Sequence, residues 1–265
     1  DLMKKRTIDA RWGTILVMDE ADHLMDTQDQ MGAQVKQVRN NMPEDVQILL
    51  FSATWPDHVE KFARQIVPRA NHIRVQKEDL TLNTITQTYV VVSGGYQNKA
   101  RQLSDLYSAL NVGQSIIFVS SRRSAWDLTK MMKEEGHTVS LIMGTQTTGP
   151  DQVDIEYRDR VMSEFRTGVT KVLISTDVLA RGIDVPAVTL VVNFDMPGRH
   201  GEVDYETYMH RIGRTGRFGL RGVAVNFVGD TEVHMIGSIQ NHYQCKIERL
   251  SGDVEEVEAL LKDLR

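Results

Sequence analysis

From about residue 84 onward the chain alternates short apolar runs with helix-compatible stretches, and few architectures accept that rhythm. Residues 84–92 are rich in Thr, Val and Tyr, and residues 115–119, 139–143, 172–175, 188–193 and 223–228 are further runs of strand length. Helical stretches fall between them: one to about residue 110, one through Trp126 and Met131 to about residue 135, and one over 157–165 that Gly168 ends. Strands alternating with helices imply a doubly wound parallel sheet, the α/β class. Residues 144–154, rich in Thr, Gly and Gln, read as a loop. Near the end, Val254, Val257, Leu260, Leu261 and Leu264 form one apolar stripe, which predicts a helix docked on the sheet.

The first 80 residues are organised differently. Residues 14–18 are uncharged and run straight into Asp19-Glu20-Ala21-Asp22. The run predicts a strand buried on both faces of a parallel sheet. Carboxylates at its C-terminal end lie on the edge where open α/β sheets bind ligands. There one acid can hold Mg²⁺ through water, and a second can orient or deprotonate an attacking water; the spacing alone fits a solvated acidic turn equally well. A second apolar run, 48–51, ends in Ser52-Ala53-Thr54 and then Pro56, which reads as a capping turn before a helix. The hydroxyls could also serve a second site at the sheet edge, but the turn taken alone favours the ordinary cap. Val59, Phe62, Ala63 and Ile66 make one helix face. Only two or three strands are legible here, and no G-x-x-x-x-G-K-[ST] occurs anywhere in the 265 residues. The expectation is therefore a first domain over 1–80 that is cut on its N-terminal side, and a complete second domain over 81–265, joined near residues 77–83.

Composition narrows the function. The formal net charge is −5, so a nucleic-acid site has to be a local basic strip on an acidic body. Cys245 is the sole cysteine, which rules out an internal disulfide and suits a reducing compartment. No apolar run approaches a membrane span, so no membrane is expected as a partner.

Three stretches of the second segment carry chemistry. In His210-Arg-Ile-Gly-Arg-Thr-Gly-Arg-Phe-Gly219, Arg211, Arg214 and Arg217 recur every third residue. On a helical turn they share one face, a crowding of like charge that calls for an anion opposite. In residues 175–185, a strand ends in hydroxyl and carboxylate, followed by Arg181-Gly182 and Asp184, a pattern able to hold phosphate and ribose. In residues 116–123, a strand runs into Ser120, Ser121, Arg122 and Arg123, which reads equally as a capped helix start or as donors that position a nucleic-acid backbone without reading bases.

Together these stretches closely resemble the DEAD-box RNA helicases. The match comprises residues 19–22, 52–54, 116–120, 175–184 and 210–219, in family order and near family spacing. The resemblance implies RecA-like domains, the first truncated and the second complete, that close over ATP and single-stranded RNA. It implies Asp19 on Mg²⁺ through water, Glu20 on the hydrolytic water, and Arg214 and Arg217 on the γ-phosphate. Asp184 meets ribose. Ser52 and Thr54 couple hydrolysis to closure, partly through Asp22 and His210, and Arg211 pairs with the acidic tetrad. RNA-backbone contacts fall on Ser121, Arg122, Gly144, Arg158, Thr176, Arg181 and Gly182.

Within the family the chain is most similar to the mRNA-export branch at the cytoplasmic face of the nuclear pore. Residues 112–118, Asn193-Phe-Asp-Met-Pro197 with the insert that follows it, and the ending from Ile239 carry that likeness. It implies an activator that binds inositol hexakisphosphate, a nuclear pore protein as partner, an mRNP substrate, a monomeric chain, and residence in cytoplasm and nucleus at the pore. Tyr157 stands where the family usually has Gln before its Arg. Two readings of function compete with an RNA-stimulated ATPase: a non-hydrolysing partner- and RNA-binding module, and a DNA-acting or protein-remodelling ATPase.

Overall fold

The computed structural model describes residues 2–3, 5, 7–25, 31–52, 54–74, 84–109, 113–143, 155–177, 185, 187–217 and 219–262. The chain divides into two compact units, Asp1–Arg74 and Val75–Arg265.

In the first unit, β1 (Ile15–Met18) leads through the acidic residues into α1 (Ala21–Leu24), then α2 (Met31–Asn40), β2 (Gln47–Leu50) and α3 (Asp57–Ile66). The two strands pair in parallel, Met18 opposite Leu50. Met18, Ala21, Met25, Val35, Val59, Phe62 and Ala63 form the core, with Leu16, Ile48 and Leu50 packed on it. The helices cover only the Leu16/Met18 side of β1. Ile15 and Val17 on the other side are 53% and 55% exposed, which corrects the expectation of a strand buried on both faces. Side chains alternate between faces along a strand, so an apolar run cannot say which face the tertiary structure covers.

The second unit follows the expected α/β plan. Its strands are β3 (Ile85–Val91), β4 (Gln114–Val119), β5 (Val139–Ile142), β6 (Val172–Thr176), β7 (Val188–Asn193), the two-residue pair β8 (Gly198–Arg199) and β9 (Glu202–Val203), β10 (Gly222–Val228) and β11 (Glu248–Leu250). Its helices are α4 (Tyr96–Ala109), α5 (Arg122–Glu134), α6 (Ile155–Arg166), α7 (Tyr205–Ile212), α8 (Val233–Tyr243) and α9 (Val254–Lys262). Seven strands form one parallel sheet in the order β11-β3-β10-β7-β4-β6-β5. β4, β6 and β10 are buried along their whole length, as strands covered on both faces must be. Ile117 and Val119 face Leu103 of α4, Leu128 of α5 and Val257 of α9. Ile116 and Phe118, on the opposite face, meet Val161 and Phe165 of α6. Tyr208 and Ile212 of α7 and Ile236 and Ile239 of α8 cover the same side of β10. The stripe at the chain end does dock, with Val257 buried and Val254, Leu260 and Leu261 against the core; Leu264 lies outside the described residues. The β8–β9 hairpin and β11 carry no apolar run long enough to be seen in the sequence.

This topology gathers chemistry at one edge. Val119 pairs with Thr176, Ile142 with Ser175 and Phe118 with Asn193, so the C-terminal ends of β4, β5, β6 and β7 lie side by side. That is the ligand edge of an open α/β sheet.

Candidate functional site

In the first unit, Asp19 and Glu20 follow β1 directly. Glu20 has φ 51° and ψ 48°, left-handed values that cost a non-glycine residue energy and recur at functional positions. The turn is held from both sides. Glu20 N donates to Asp19 Oδ1 at 2.9 Å, and Ala21 N donates to the Phe51 carbonyl at 3.0 Å. Asp19 is exposed and Glu20 partly so. Asp22 is buried, 5% exposed, and serves as the tie to the second strand end. Its Oδ2 accepts from Thr54 Oγ1 at 2.5 Å, its Oδ1 accepts from His23 N at 2.9 Å, and its own N donates to Ser52 Oγ at 3.2 Å. Thr54 is therefore no helix cap: Pro56 occupies that position, and the hydroxyl turns to the carboxylate instead. The three acids thus separate into an exposed Asp19, a partly exposed Glu20 and a buried Asp22 that joins the ends of β1 and β2.

In the second unit, Ser121 caps α5, accepting from Ser124 N at 3.0 Å, and Arg122 opens the helix. Thr176 ends β6 with 7% exposure. Arg158 lies in the first turns of α6, and the neighbouring Tyr157 ring has the Arg160 guanidinium over it at 5.4 Å. Gly144, Arg181, Gly182 and Asp184 lie outside the described residues.

The three arginines do not share a helix face. α7 ends at Ile212 with Gly213 as its C-cap, and Arg214 and Arg217 sit in the turns beyond. They are held there by carbonyls that the ended helix leaves open: Arg214 Nε donates to His210 O at 2.9 Å and Arg217 Nε to Gly213 O at 2.7 Å. Gly216, at φ +69°, makes the turn possible. A Cβ there would stand 2.7 Å from Ile85 Cγ1. His210 and Arg214 are 7% and 8% exposed.

Arg211 is fully buried, and groups of the second unit hold its guanidinium. Nε donates to Asp177 Oδ1 at 2.7 Å, and Nη2 donates to the same oxygen. Nη1 donates to Asn193 Oδ1 at 3.1 Å and to the Asp195 carbonyl at 2.6 Å, and the group lies over the Phe118 ring at 5.2 Å. Burial pulls its pKa below the ordinary arginine value and the Asp177 carboxylate opposes that pull. Asp195 in turn accepts from Ser120 N at 2.8 Å and Ser120 Oγ at 2.9 Å, and it stands 3.9 Å from the buried Lys99 ammonium, which also meets Glu232 at 3.3 Å. Asp177, Asn193 and Asp195 were absent from the expected set. Their sequence signal is the same as that of Asp19: polar residues directly after an apolar run.

Two family models match. The DEAD/DEAH box helicase model covers residues 2–62, and the helicase conserved C-terminal domain model covers residues 98–219. The ATP-dependent RNA helicase dbp5 of Aspergillus fumigatus is 43% identical over 270 residues, covering 99% of the chain and 53% of that relative. The chain spans about half the length of the curated relatives it matches. Among solved structures, S. cerevisiae Dbp5 bound to RNA and ADP BeF3 matches with TM-score 0.87 and 40% identity, over 100% of this chain and 66% of that one. A variant S. cerevisiae Dbp5 bound to Nup159, variant Gle1, IP6 and ADP matches with TM-score 0.68 and 37% identity, over the same shares. With both family models in place, and 99% of its own length aligned with these relatives, the chain belongs to the DEAD-box helicase family.

Proposed function

We propose that the chain is part of an ATP-dependent RNA helicase that remodels RNA–protein complexes during mRNA export. Residues 1–80 serve as the C-terminal part of a first RecA-like domain and residues 81–265 as the second. The observation that carries this reading is the division of labour at the end of β1: Asp22 is spent on Ser52 and Thr54, while Asp19 and Glu20 stay open to solvent. An exposed carboxylate with one oxygen already oriented by Glu20 N suits Mg²⁺ held through water. That ion supplies charge neutralisation to the phosphates of ATP. Glu20 orients the attacking water and takes its proton. Arg214 and Arg217 stabilise charge on the γ-phosphate, and Asp184 accepts from ribose. Ser52, Thr54, Asp22 and His210 couple hydrolysis to closure.

Single-stranded RNA lies along the ends of β4 and β6, where Ser121 and Arg122 follow β4 and Thr176 ends β6, and it reaches Arg158 of α6; the family resemblance adds Gly144, Arg181 and Gly182. Contacts to phosphate and ribose bind without sequence preference, and a local strip of this kind works on a chain of net charge −5. The partners are an activator carrying inositol hexakisphosphate and a nuclear pore protein, supported by the relative solved with Gle1, IP6 and Nup159. The place of action is the cytoplasmic face of the pore.

The absence of G-x-x-x-x-G-K-[ST] from these 265 residues favours a second reading of the chain taken alone, as a module that binds RNA and partners without hydrolysis. Phosphate release by residues 1–265 with ATP, Mg²⁺ and oligouridine separates the two: no RNA-dependent turnover is expected, and turnover well above background refutes that. Fluorescence anisotropy with labelled oligouridine against the matched DNA tests the RNA assignment, since 2′-hydroxyl contacts favour RNA.

A further inference from the structure

A fully buried arginine is costly to keep, and apolar residues of similar volume often pack as stably in its place. Arg211 therefore invites a question about geometry rather than stability. Its planar fork uses two edges at once, one on Asp177 and the other on Asn193 and the Asp195 carbonyl, which a lysine cannot reproduce. These partners come from the ends of the two strands that flank β4. Asp177 follows Thr176 at the end of β6, and Asn193 ends β7. Asp195 reaches on to the end of β4 through Ser120, next to Ser121 and Arg122. On its other side Arg211 carries the arginine turn on its own backbone, because Arg214 N donates to the Arg211 carbonyl at 3.1 Å.

We infer that Asp177 and Arg211 are positioning residues: the ion pair between the buried guanidinium and the half-exposed carboxylate fixes the strand-end segment that carries Thr176 to the turn that carries Arg214 and Arg217, so that RNA held at the sheet edge orders that turn. The inference rests on the RNA reading above. It adds a route within one unit from the RNA-contacting edge to the phosphate-directed arginines, and it assigns Asp177 a role distinct from touching RNA. Both Arg211 donors on this carboxylate use Oδ1, so an amide oxygen in the same place keeps the linkage and a methyl group removes it.

The test is hydrogen exchange of the 265-residue chain with and without oligouridine, run beside anisotropy titrations of the same samples. RNA should slow exchange over residues 205–217 by about threefold or more in the parent chain. Asp177→Ala should bind oligouridine within about threefold of the parent, because phosphate contacts elsewhere remain, yet show no slowing over 205–217. Asp177→Asn should restore the slowing. If the alanine variant is poorly folded, Asp177→Ala combined with Arg211→Met removes the buried guanidinium together with its partner and should behave the same way. Slowing that persists undiminished in Asp177→Ala or in the double variant overturns the proposal. So does a loss of RNA affinity beyond about tenfold in Asp177→Ala, which makes the carboxylate an RNA contact itself. Binding by the parent without any slowing over 205–217 overturns the linkage and leaves the RNA reading standing. Failure of the parent to bind oligouridine overturns the RNA reading and the linkage with it.

Discussion

Asp195→Ala removes the carboxylate that closes the end of β4, and its cost follows from the surroundings. The carboxylate accepts two hydrogen bonds from Ser120, one from the backbone N at 2.8 Å and one from the hydroxyl at 2.9 Å. Ser120 is exposed, so water re-solvates the hydroxyl and much of the amide, which puts the loss near the low end for charge-assisted bonds. Lys99 is buried and loses one of two carboxylates, but the nearer one, Glu232 at 3.3 Å, remains. The sum is about 2–3 kcal/mol. For a unit of this size that corresponds to a fall in Tm of about 5–10 °C, read by calorimetry or circular dichroism on the chain. Asp195→Asn keeps an acceptor for Ser120 and gives up the charge that faces Lys99 and Arg211, so its loss should be smaller, about 1 kcal/mol. The alanine variant should also weaken oligouridine binding, because Ser121 and Arg122 sit on the segment it releases. A Tm within about 1 °C of the parent for the alanine variant, or an asparagine variant as damaged as the alanine one, refutes the reasoning.

Thr54→Val removes one partner of the buried Asp22 carboxylate and should destabilise the first unit by about 1.5–3 kcal/mol, with Thr54→Ser close to the parent; faster amide exchange over residues 19–25 is the readout. Gly216→Ala meets both a left-handed backbone and Ile85, so a loss of about 2 kcal/mol or more is expected in urea unfolding, with looser exchange across the arginine turn. Burial raises the Tyr107 and Tyr208 phenols, so their contribution to stability is fully present below the unfolded pKa near 10 and is lost as pH rises beyond it; Tm should fall above about pH 10, and a flat Tm to pH 11 would count against the packing described. The Cys245 thiol is likewise raised by burial, so alkylation at about pH 8.5 should be slower than for a free thiol and should accelerate on unfolding in urea.

The alternation of apolar runs was enough to specify a parallel α/β sheet, because in such a sheet each strand is covered on both faces and reads as an unbroken run. The residues at strand ends were legible for the same reason: Asp19, Ser121 and Thr176 each stand where an apolar run stops. What the sequence could not decide was direction and partnership. Nothing in residues 14–18 distinguishes the covered face of β1 from the exposed one. Equal spacing of Arg211, Arg214 and Arg217 predicted one helix face, yet the helix ends at Ile212. One arginine goes to the interior and two to the turn, because the carbonyls of an ended helix and the carboxylate of Asp177 compete for the same guanidinium groups. Thr54 could have capped α3, and only the approach of Asp22 across the strand ends settled where its hydroxyl points. Local pattern decides which residues are strand or helix because sterics and burial period act over a few residues. Which polar group meets which depends on contacts dozens of positions apart, and those exist only once the sheet has brought its strand ends together.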